Sequence, residues 1–459
     1  MVSAIVLAGG RGNKFFPYAT IRNKLCFPIL GTPCVLRLAN QLIQSGVKNI
    51  VVVTGYKEQS VRYALRNLKE VTFAKTEGNE DIATAIRKAI DLVETEDVLI
   101  IHGDIVTTEQ NIKEFLSLHK SSNSEVSMLI SENPPEPIHT PRVHISSNEF
   151  DCFDYEGRSS IWFCNAIIGN TYIIRKSALN ETGYSKDVPV GAMPEPQGSL
   201  ISIIEAIKDS NVSISVIKSK DFLIDLNHPW DALKANQLVL HYLFESLEEN
   251  KSHDTAKISD GADISSNAKI IACENTVIEK GCIVQGNLYL GRGSQISKGA
   301  IVSENVFIGH DSLITEYSKL HADTVIGNNN RIAFSAEFYG LTLDNVFMIH
   351  NCCISGILGS NVDIGAGTIS ATWRFDNKVR EIICEGRKEI PPYYGNLSYI
   401  GDFCRTGVGV MLMPGVRVGA YSCLGPGTII RTDIQPNTLI LCEQKLNIEK
   451  WGPEKYNNY

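Results

Sequence analysis

One feature limits this chain more than any other: every sixth residue from Ile278 to Phe338 is aliphatic or aromatic. The row is Ile278, Val284, Leu290, Ile296, Val302, Ile308, Ile314, Leu320, Ile326, Ile332 and Phe338. A second row reads Ile400, Thr406, Leu412, Val418, Leu424 and Ile430. No α-helix has a period of six, and an isolated strand has a period of two. A hexad repeat fits a parallel β-helix, in which short strands stack coil upon coil and the ladder residue points into the prism. Gly often follows the ladder position, as at Gly291, Gly309, Gly327, Gly401 and Gly419. It is expected to allow a tight corner where a Cβ would be strained. At about eighteen residues per coil, the stretch 257–442 holds about ten coils. The register slips by two between Ile270 and Ile278, and again between Phe338 and Val346. It lapses from Thr372 to Ser398, where charges, Pro391–Pro392 and Gly395 predict a protruding loop. Insertions in repeat proteins tend to mark binding faces.

The first 229 residues carry a different signal. Ile5–Leu7, Ile50–Thr54 and Val98–Ile101 are short apolar runs, and Val35–Gln44 and Ile82–Val93 between them have helical periodicity. Wholly apolar strands alternating with helices predict a parallel α/β sheet. Such sheets bind ligands at the carboxyl ends of their strands, where both Gly9–Gly12 and Asp104 fall. Trp230–Leu247 reads as one helix and Glu248–Thr255 as a linker, so 230–256 joins the two domains and 443–459 is a tail.

The net charge is −8 and charged residues make up 20% of the 459-residue chain. That disfavours non-specific nucleic-acid binding but leaves room for a local basic pocket. Met1–Gly10 lacks a basic leader and reads as a first buried strand, not a signal peptide. No apolar run is long enough to span a membrane. None of the 12 Cys form a C-x-x-C pair, so their spacing matches neither a zinc site nor a disulfide framework. They read as small core residues in a reducing cytoplasm.

Ala4–Pro17 (A-I-V-L-A-G-G-R-G-N-K-F-F-P) is a strand running into a glycine-rich loop whose backbone N–H groups can approach phosphate oxygens. It is neither G-x-x-x-x-G-K-[ST] nor G-x-G-x-x-G, so P-loop and dinucleotide readings fail. Asn23–Lys24 and Phe27–Pro33 follow, then an amphipathic helix. Together with Ala83–Thr84–Ala85, His102–Gly103–Asp104, Asn165 and Asp225-x-x-x-Pro229–Trp230–Asp231, in that order, this stretch resembles the sugar-1-phosphate nucleotidyltransferases.

The resemblance implies a Rossmann-like α/β domain over residues 1–229. Its implied substrates are a nucleoside triphosphate, UTP by analogy, and a sugar 1-phosphate. Leu7, Ala8, Gly9, Gly10, Gly12, Ala83, Thr84 and Gly103 would bind nucleotide, and Asn165 the sugar. Lys24 matches the family's phosphate-contacting lysine, and Lys14 takes the place of its catalytic Arg. Asp104 and Asp225 would hold Mg²⁺, a cation that prefers hard oxygen ligands, with Asn227 a third candidate. Phosphoryl transfer needs positioning and charge neutralisation more than covalent chemistry. His102 reads as a wall residue. The chain departs from the family at Lys14, which loses the bidentate fork of Arg. It departs also at Asn23, where relatives have Pro, at Ala83, and at Glu77 or Gly78, where uridylyltransferases carry a base-reading Gln.

The resemblance continues through the coils. Asn361–Thr372 followed by Arg374–Phe375–Asp376, then Gly401–Asp402, Thr406–Gly407, Met413–Val416 and Gly425–Gly427, resemble archaeal-type bifunctional enzymes. These join a UDP-N-acetylglucosamine pyrophosphorylase to an amino-sugar-phosphate N-acetyltransferase. The family's coil is a left-handed parallel β-helix, an exception to right-handed crossovers. Its members are usually homotrimers with acetyl-CoA sites between subunits. His350 falls at the family's general base, where a neutral imidazole takes a proton from the attacking amine. Tyr339, Cys353 and Thr372 replace the family's Lys, Tyr and Asn, which leaves Arg331 or Arg374 to face the sugar phosphate. These substitutions also fit an alternative: a non-catalytic, regulatory homologue that binds nucleotide-sugars or assembles with a catalytic subunit.

Overall fold

In a computed structural model of the chain, every residue of the first hexad row is at most 1% exposed, so each rung points into the prism. The structure describes residues 2–76, 82–132, 142–146, 148–154, 166–181 and 200–456. Ten strands stack on one face of the prism, from Lys257–Ile258 to Leu439–Ile440. Successive coils pair in parallel at an offset of 18 residues, as Ile278 with Ile296 and Val302 with Leu320. The first coil strand, Lys251–Ser252, already lies within the stretch read as linker and pairs with Ile271–Ala272.

The two register slips have different origins from those expected. Ala272, buried and paired with Leu290, fills the rung six residues before Ile278, so the first slip lies one strand earlier, between Ile264 and Ala272. The second is a shortening. Ile332 pairs with Met348 and Phe338 with Ile354, an offset of 16, so Met348 and not Val346 takes the rung. Two residues are saved because Glu337–Thr342 and Cys353–Leu358 run directly round one corner of the prism. Gly356 makes this passage at φ 153°, and a Cβ there would stand 1.8 Å from Ser398 O.

The glycines after ladder residues serve coil contact more than corner geometry. Gly309 has no positive φ, but a Cβ on it would meet Gly327 O at 2.7 Å. Many left-handed corners are taken instead by Asn and Asp, such as Asn275, Asn305, Asp323 and Asn345. Their short polar side chains tolerate that conformation.

The N-terminal domain is built on a nine-stranded sheet. Its strands are β1 (Ser3–Ala8), β2 (Ile50–Thr54), β3 (Val71–Lys75), β4 (Asp97–His102), β5 (Val126–Ser131), β6 (Arg142–Ser146), β7 (Glu149–Asp154), β8 (Ala166–Arg175) and β9 (Ile214–Lys218). They lie in the order β3-β2-β1-β4-β8-β5-β9-β7-β6. The half around β1 is parallel, as the apolar runs predict. The other half is mixed, because β8 runs antiparallel to β4 and β5, and β6–β7 add an antiparallel edge. Helices α1 (Cys34–Gln44), α2 (Glu58–Leu65) and α3 (Ile82–Ile90) cover this sheet.

The domains share a core. On one face of the β-helix the outward residues Ile271, Tyr289, Phe307, Val325, Leu341, Ile357 and Tyr399 stand in cross-coil register. They pack against Trp230, Leu240 and Phe244 of the helix Pro229–Glu245, and against Phe15, Tyr18, Phe27 and Ile29. The Tyr18 hydroxyl donates to Ile357 O at 2.9 Å. The Arg22 guanidinium pairs with Asp402, which is wholly buried. Burying each large apolar side chain contributes about 1.5–3 kcal/mol, so this face fixes the β-helix against the sheet domain.

Candidate active site

A cavity of about 590 Å³ opens at the carboxyl ends of β1 and β4. Leu7 lines it from the end of β1, Gly9, Gly10 and Gly12 from the loop that follows, and His102 and Asp104 from the end of β4. The α3 residues on its wall are Ile82 and Ala85; Ala83 packs into the same core as Ala85 but does not line the cavity. Ala8 likewise packs into the core below the loop. Gly103 lets Leu25 pass close over the strand end, for a Cβ there would lie 2.2 Å from Leu25 Cδ2. That close approach brings Lys24 to the cavity.

Asn23 positions Lys24. It is fully buried, its Oδ1 accepts from Leu25 N at 3.0 Å, and its Nδ2 donates to Tyr56 O at 2.7 Å and Ala8 O at 3.3 Å. The amide thus ties the turn carrying Lys24 to the end of β1, a job that a proline ring at this position could not do by hydrogen bonding. Lys24 Nζ then reaches Asp104 Oδ2 at 2.5 Å.

Asp225 is delivered beside Asp104 by a two-stranded antiparallel sheet, Ile105–Val106 with Ile224–Asp225. Leu226 N donates to Asp104 O at 3.1 Å and closes the pair. Asn170 Nδ2 donates to Asp225 Oδ2 at 3.0 Å, and the backbone N–H of Asn227 donates to Asp225 O at 2.9 Å. Asp225 Oδ1 is buried with no hydrogen-bond partner.

The charges at this point are unequal. Burial and the neighbouring Asp104 push the Asp225 carboxyl up to about 7. Burial would raise Asp104 too, but Lys24 and His102 outweigh it and hold the carboxyl below its ordinary value. Burial would lower Lys24, yet Asp104 and Asp225 raise it above the ordinary lysine value. Burial lowers His102, which makes it a neutral wall residue at pH 7. A buried, unpartnered carboxylate oxygen with a second carboxylate nearby suits a hard divalent cation, which prefers oxygen ligands.

The remaining expected residues are placed less uniformly. Lys14 does not line the cavity; its Nζ lies 2.9 Å from Glu389 Oε1, on the insertion of the β-helix. Asn165, Glu77 and Gly78 lie outside the described residues. The insertion carries a hairpin, Ile382–Cys384 with Arg387–Glu389, that folds back onto the glycine-rich loop. Glu385 at its tip lines the cavity and accepts from Asn13 Nδ2 at 2.8 Å. Sequence reasoning missed Asn13, Glu385 and Glu389, because no local pattern connects residues about 370 positions apart, and Asn170, which meets Asp225 from 55 positions away.

On the β-helix, His350 sits exposed at a left-handed corner with φ 70°, its ring stacked on Phe334 at 4.7 Å. Arg331 is exposed on the strand Arg331–Ala333, which pairs with Phe347–Ile349 just before His350. Arg374 lies elsewhere, at the start of the insertion beyond Ile369–Ser370, in a bidentate pair with Asp376. Within one chain His350 and Arg374 therefore stand at opposite edges of one face of the prism. Tyr339 is half-buried against Tyr394 at the domain interface, and Cys353 is exposed.

Comparison with known proteins agrees with this geometry. Residues 3–138 match the nucleotidyl transferase family. A bifunctional protein GlmU from Methanococcus maripaludis strain C7 is 30% identical over 98% of this chain and 99% of its own length. The strain S2 protein of the same name is 27% identical over the same shares. A bifunctional sugar-1-phosphate nucleotidylyltransferase/acetyltransferase from Sulfurisphaera tokodaii is 24% identical over 94% of this chain and 98% of its own length. Full-length similarity at this level, on a sheet domain and β-helix that share one core, places the chain in the GlmU family, with a nucleotidyl transferase domain at its N-terminus.

Proposed function

We propose that the chain transfers a nucleotidyl group from UTP to N-acetylglucosamine 1-phosphate, giving the nucleotide-sugar and pyrophosphate. The observation that carries this reading is the Lys24–Asp104–Asp225 cluster at the foot of a glycine-rich loop. The loop's backbone N–H groups receive the triphosphate. Lys24 neutralises charge that develops as a sugar-phosphate oxygen attacks the α-phosphorus and pyrophosphate departs. Asp104 and Asp225 would hold Mg²⁺, which supplies further charge neutralisation when bound. Asn23 and Asn170 position these groups through the lysine turn and the Asp225 carboxylate.

The β-helix carries a second activity in this reading: acetyl transfer from acetyl-CoA to the amine of an amino-sugar 1-phosphate, with His350 taking the amine proton. The exposed corner at His350 is open to a neighbouring subunit, and a homotrimer completes the site. Ile369, Met411 and Ile429 form an exposed apolar ladder in cross-coil register, a surface suited to such an interface. Among the described residues no helix is long and apolar enough to cross a membrane.

The test is incubation with Mg²⁺, each of four nucleoside triphosphates and a panel of sugar 1-phosphates, following pyrophosphate. Release is expected with UTP and N-acetylglucosamine 1-phosphate. Absence of release from every pair would remove the nucleotidyltransferase reading.

A further inference from the structure

A buried cluster joins the two domains beside the nucleotide cavity. His228 immediately precedes the helix Pro229–Glu245, while Cys384 and Glu389 end the two strands of the insertion hairpin. An imidazole nitrogen, the thiol sulfur and a carboxylate oxygen lie within 4.8 Å of one another, and all three residues are buried. Each has an outer partner. Asp231 Oδ2 faces His228 Nδ1 at 3.3 Å, Lys14 Nζ contacts Glu389 Oε1 at 2.9 Å, and Arg417 Nη1 lies 3.9 Å from Cys384 Sγ. The Asp231 carboxylate is itself fixed, accepting from His228 N at 2.7 Å and from the Tyr393 hydroxyl at 3.1 Å. His228 Nε2 and Glu389 Oε2 are left facing each other at 2.5 Å. A carboxylate on the far nitrogen of an imidazole, aiming the near nitrogen at a point shared with other donors, is how metal-binding histidines are held.

We propose that His228, Cys384 and Glu389 form a transition-metal site suited to zinc. One imidazole, one thiolate and one carboxylate are zinc donors, whereas Mg²⁺ and Ca²⁺ take oxygen. Three protein ligands leave the fourth tetrahedral position to water. Ligands of one zinc ion stand further apart than the 2.5 Å between Nε2 and Oε2. Entry of the ion therefore separates these two side chains, and it displaces the protons carried on the imidazole and the thiol. The site uses neither Asp104 nor Asp225. It pins the hairpin that sets Glu385 against Asn13 and Glu389 against Lys14. A metal there ties the β-helix insertion to the glycine-rich loop.

The test uses the full chain, freed of metal with a chelator and titrated with Co²⁺ and then Zn²⁺. Wild-type protein is expected to bind one Co²⁺ with thiolate-to-cobalt charge-transfer absorption, which one equivalent of Zn²⁺ abolishes. Cys384→Ser should lose that absorption and weaken zinc binding at least about 100-fold. Asp231→Asn should keep the absorption while weakening binding about 10- to 100-fold. Cys423→Ser, at an exposed thiol, should behave as wild type. Wild-type protein without the thiolate absorption overturns the proposal, whether or not the variants fold. So does an absorption that survives in folded Cys384→Ser.

Discussion

Lys14 Nζ lies 2.9 Å from Glu389 Oε1, so the glycine-rich loop of one domain is held by the insertion of the other. Glu389 also faces His228, and both are nearly inaccessible to solvent. Lys14 is more than a third exposed, so its share of the pair is screened. Glu389→Ala leaves the buried His228 facing an empty position and should cost about 3 kcal/mol or more. Lys14→Ala should cost less than about 1 kcal/mol. Urea unfolding of both variants checks this; equal midpoints for Glu389→Ala and wild type would contradict it.

Asp225 makes stability depend on pH. Its carboxyl is pushed up to about 7 in the fold, first by burial and then by Asp104, from an ordinary value near 3.8. The native state then binds more protons than the unfolded state between these values. This group's contribution is fully present below about pH 4 and is lost as pH rises through 7. The Mg²⁺ site proposed at Asp225 would need the ionised carboxylate, so a Tm increase given by Mg²⁺ should be small at pH 5.5 and grow through pH 7. Asp225→Asn should remove the pH dependence of that increase. A Mg²⁺ effect equal at pH 5.5 and 8 in wild type would contradict the pairing.

The shared interface predicts a contrast between two aromatic residues. Tyr399 is wholly buried between the β-helix and Trp230, whereas Phe375 on the insertion is fully exposed. Tyr399→Ala should destabilise the chain by about 3–5 kcal/mol. Phe375→Ala should stay within about 0.5 kcal/mol of wild type. Thermal unfolding separates the two.

Much of this architecture is legible from local pattern. The period of six alone specifies the β-helix, because each rung from Ile278 to Phe338 repeats one physical requirement, burial in the prism. The Asp104 and Asp225 motifs are legible as types, and the short sheet Ile105–Val106 with Ile224–Asp225 explains why such distant segments meet. Asn23 reads as a departure, yet its side chain does by hydrogen bonds what a turn residue must do there. The lapse from Thr372 to Ser398 marks an insertion, but no pattern says where it goes. Its destination depends on contacts of Glu385 with Asn13 and Glu389 with Lys14, which no local rule connects. Cysteine spacing is silent for the same reason, since Cys384 meets His228 only in three dimensions.

The β-helix reading has its own test. His350→Ala should lower acetyl transfer from acetyl-CoA to glucosamine 1-phosphate by about 10²–10⁴-fold, the ordinary contribution of a general base. Nucleotidyl transfer by the same variant should be unchanged, since His350 stands on an exposed coil corner and does not line the nucleotide cavity. An unchanged thiol-release rate would remove the general-base assignment.

The most direct measurement is the rate of pyrophosphate release by Asp104→Asn against wild type, with saturating Mg²⁺, UTP and N-acetylglucosamine 1-phosphate. Asp104 lines the cavity, pairs with Lys24 and neighbours Asp225, so its loss disturbs both of those groups. Wild type should turn over, and the variant should be slower by at least about 10²-fold. A variant that releases pyrophosphate at the wild-type rate would contradict the account.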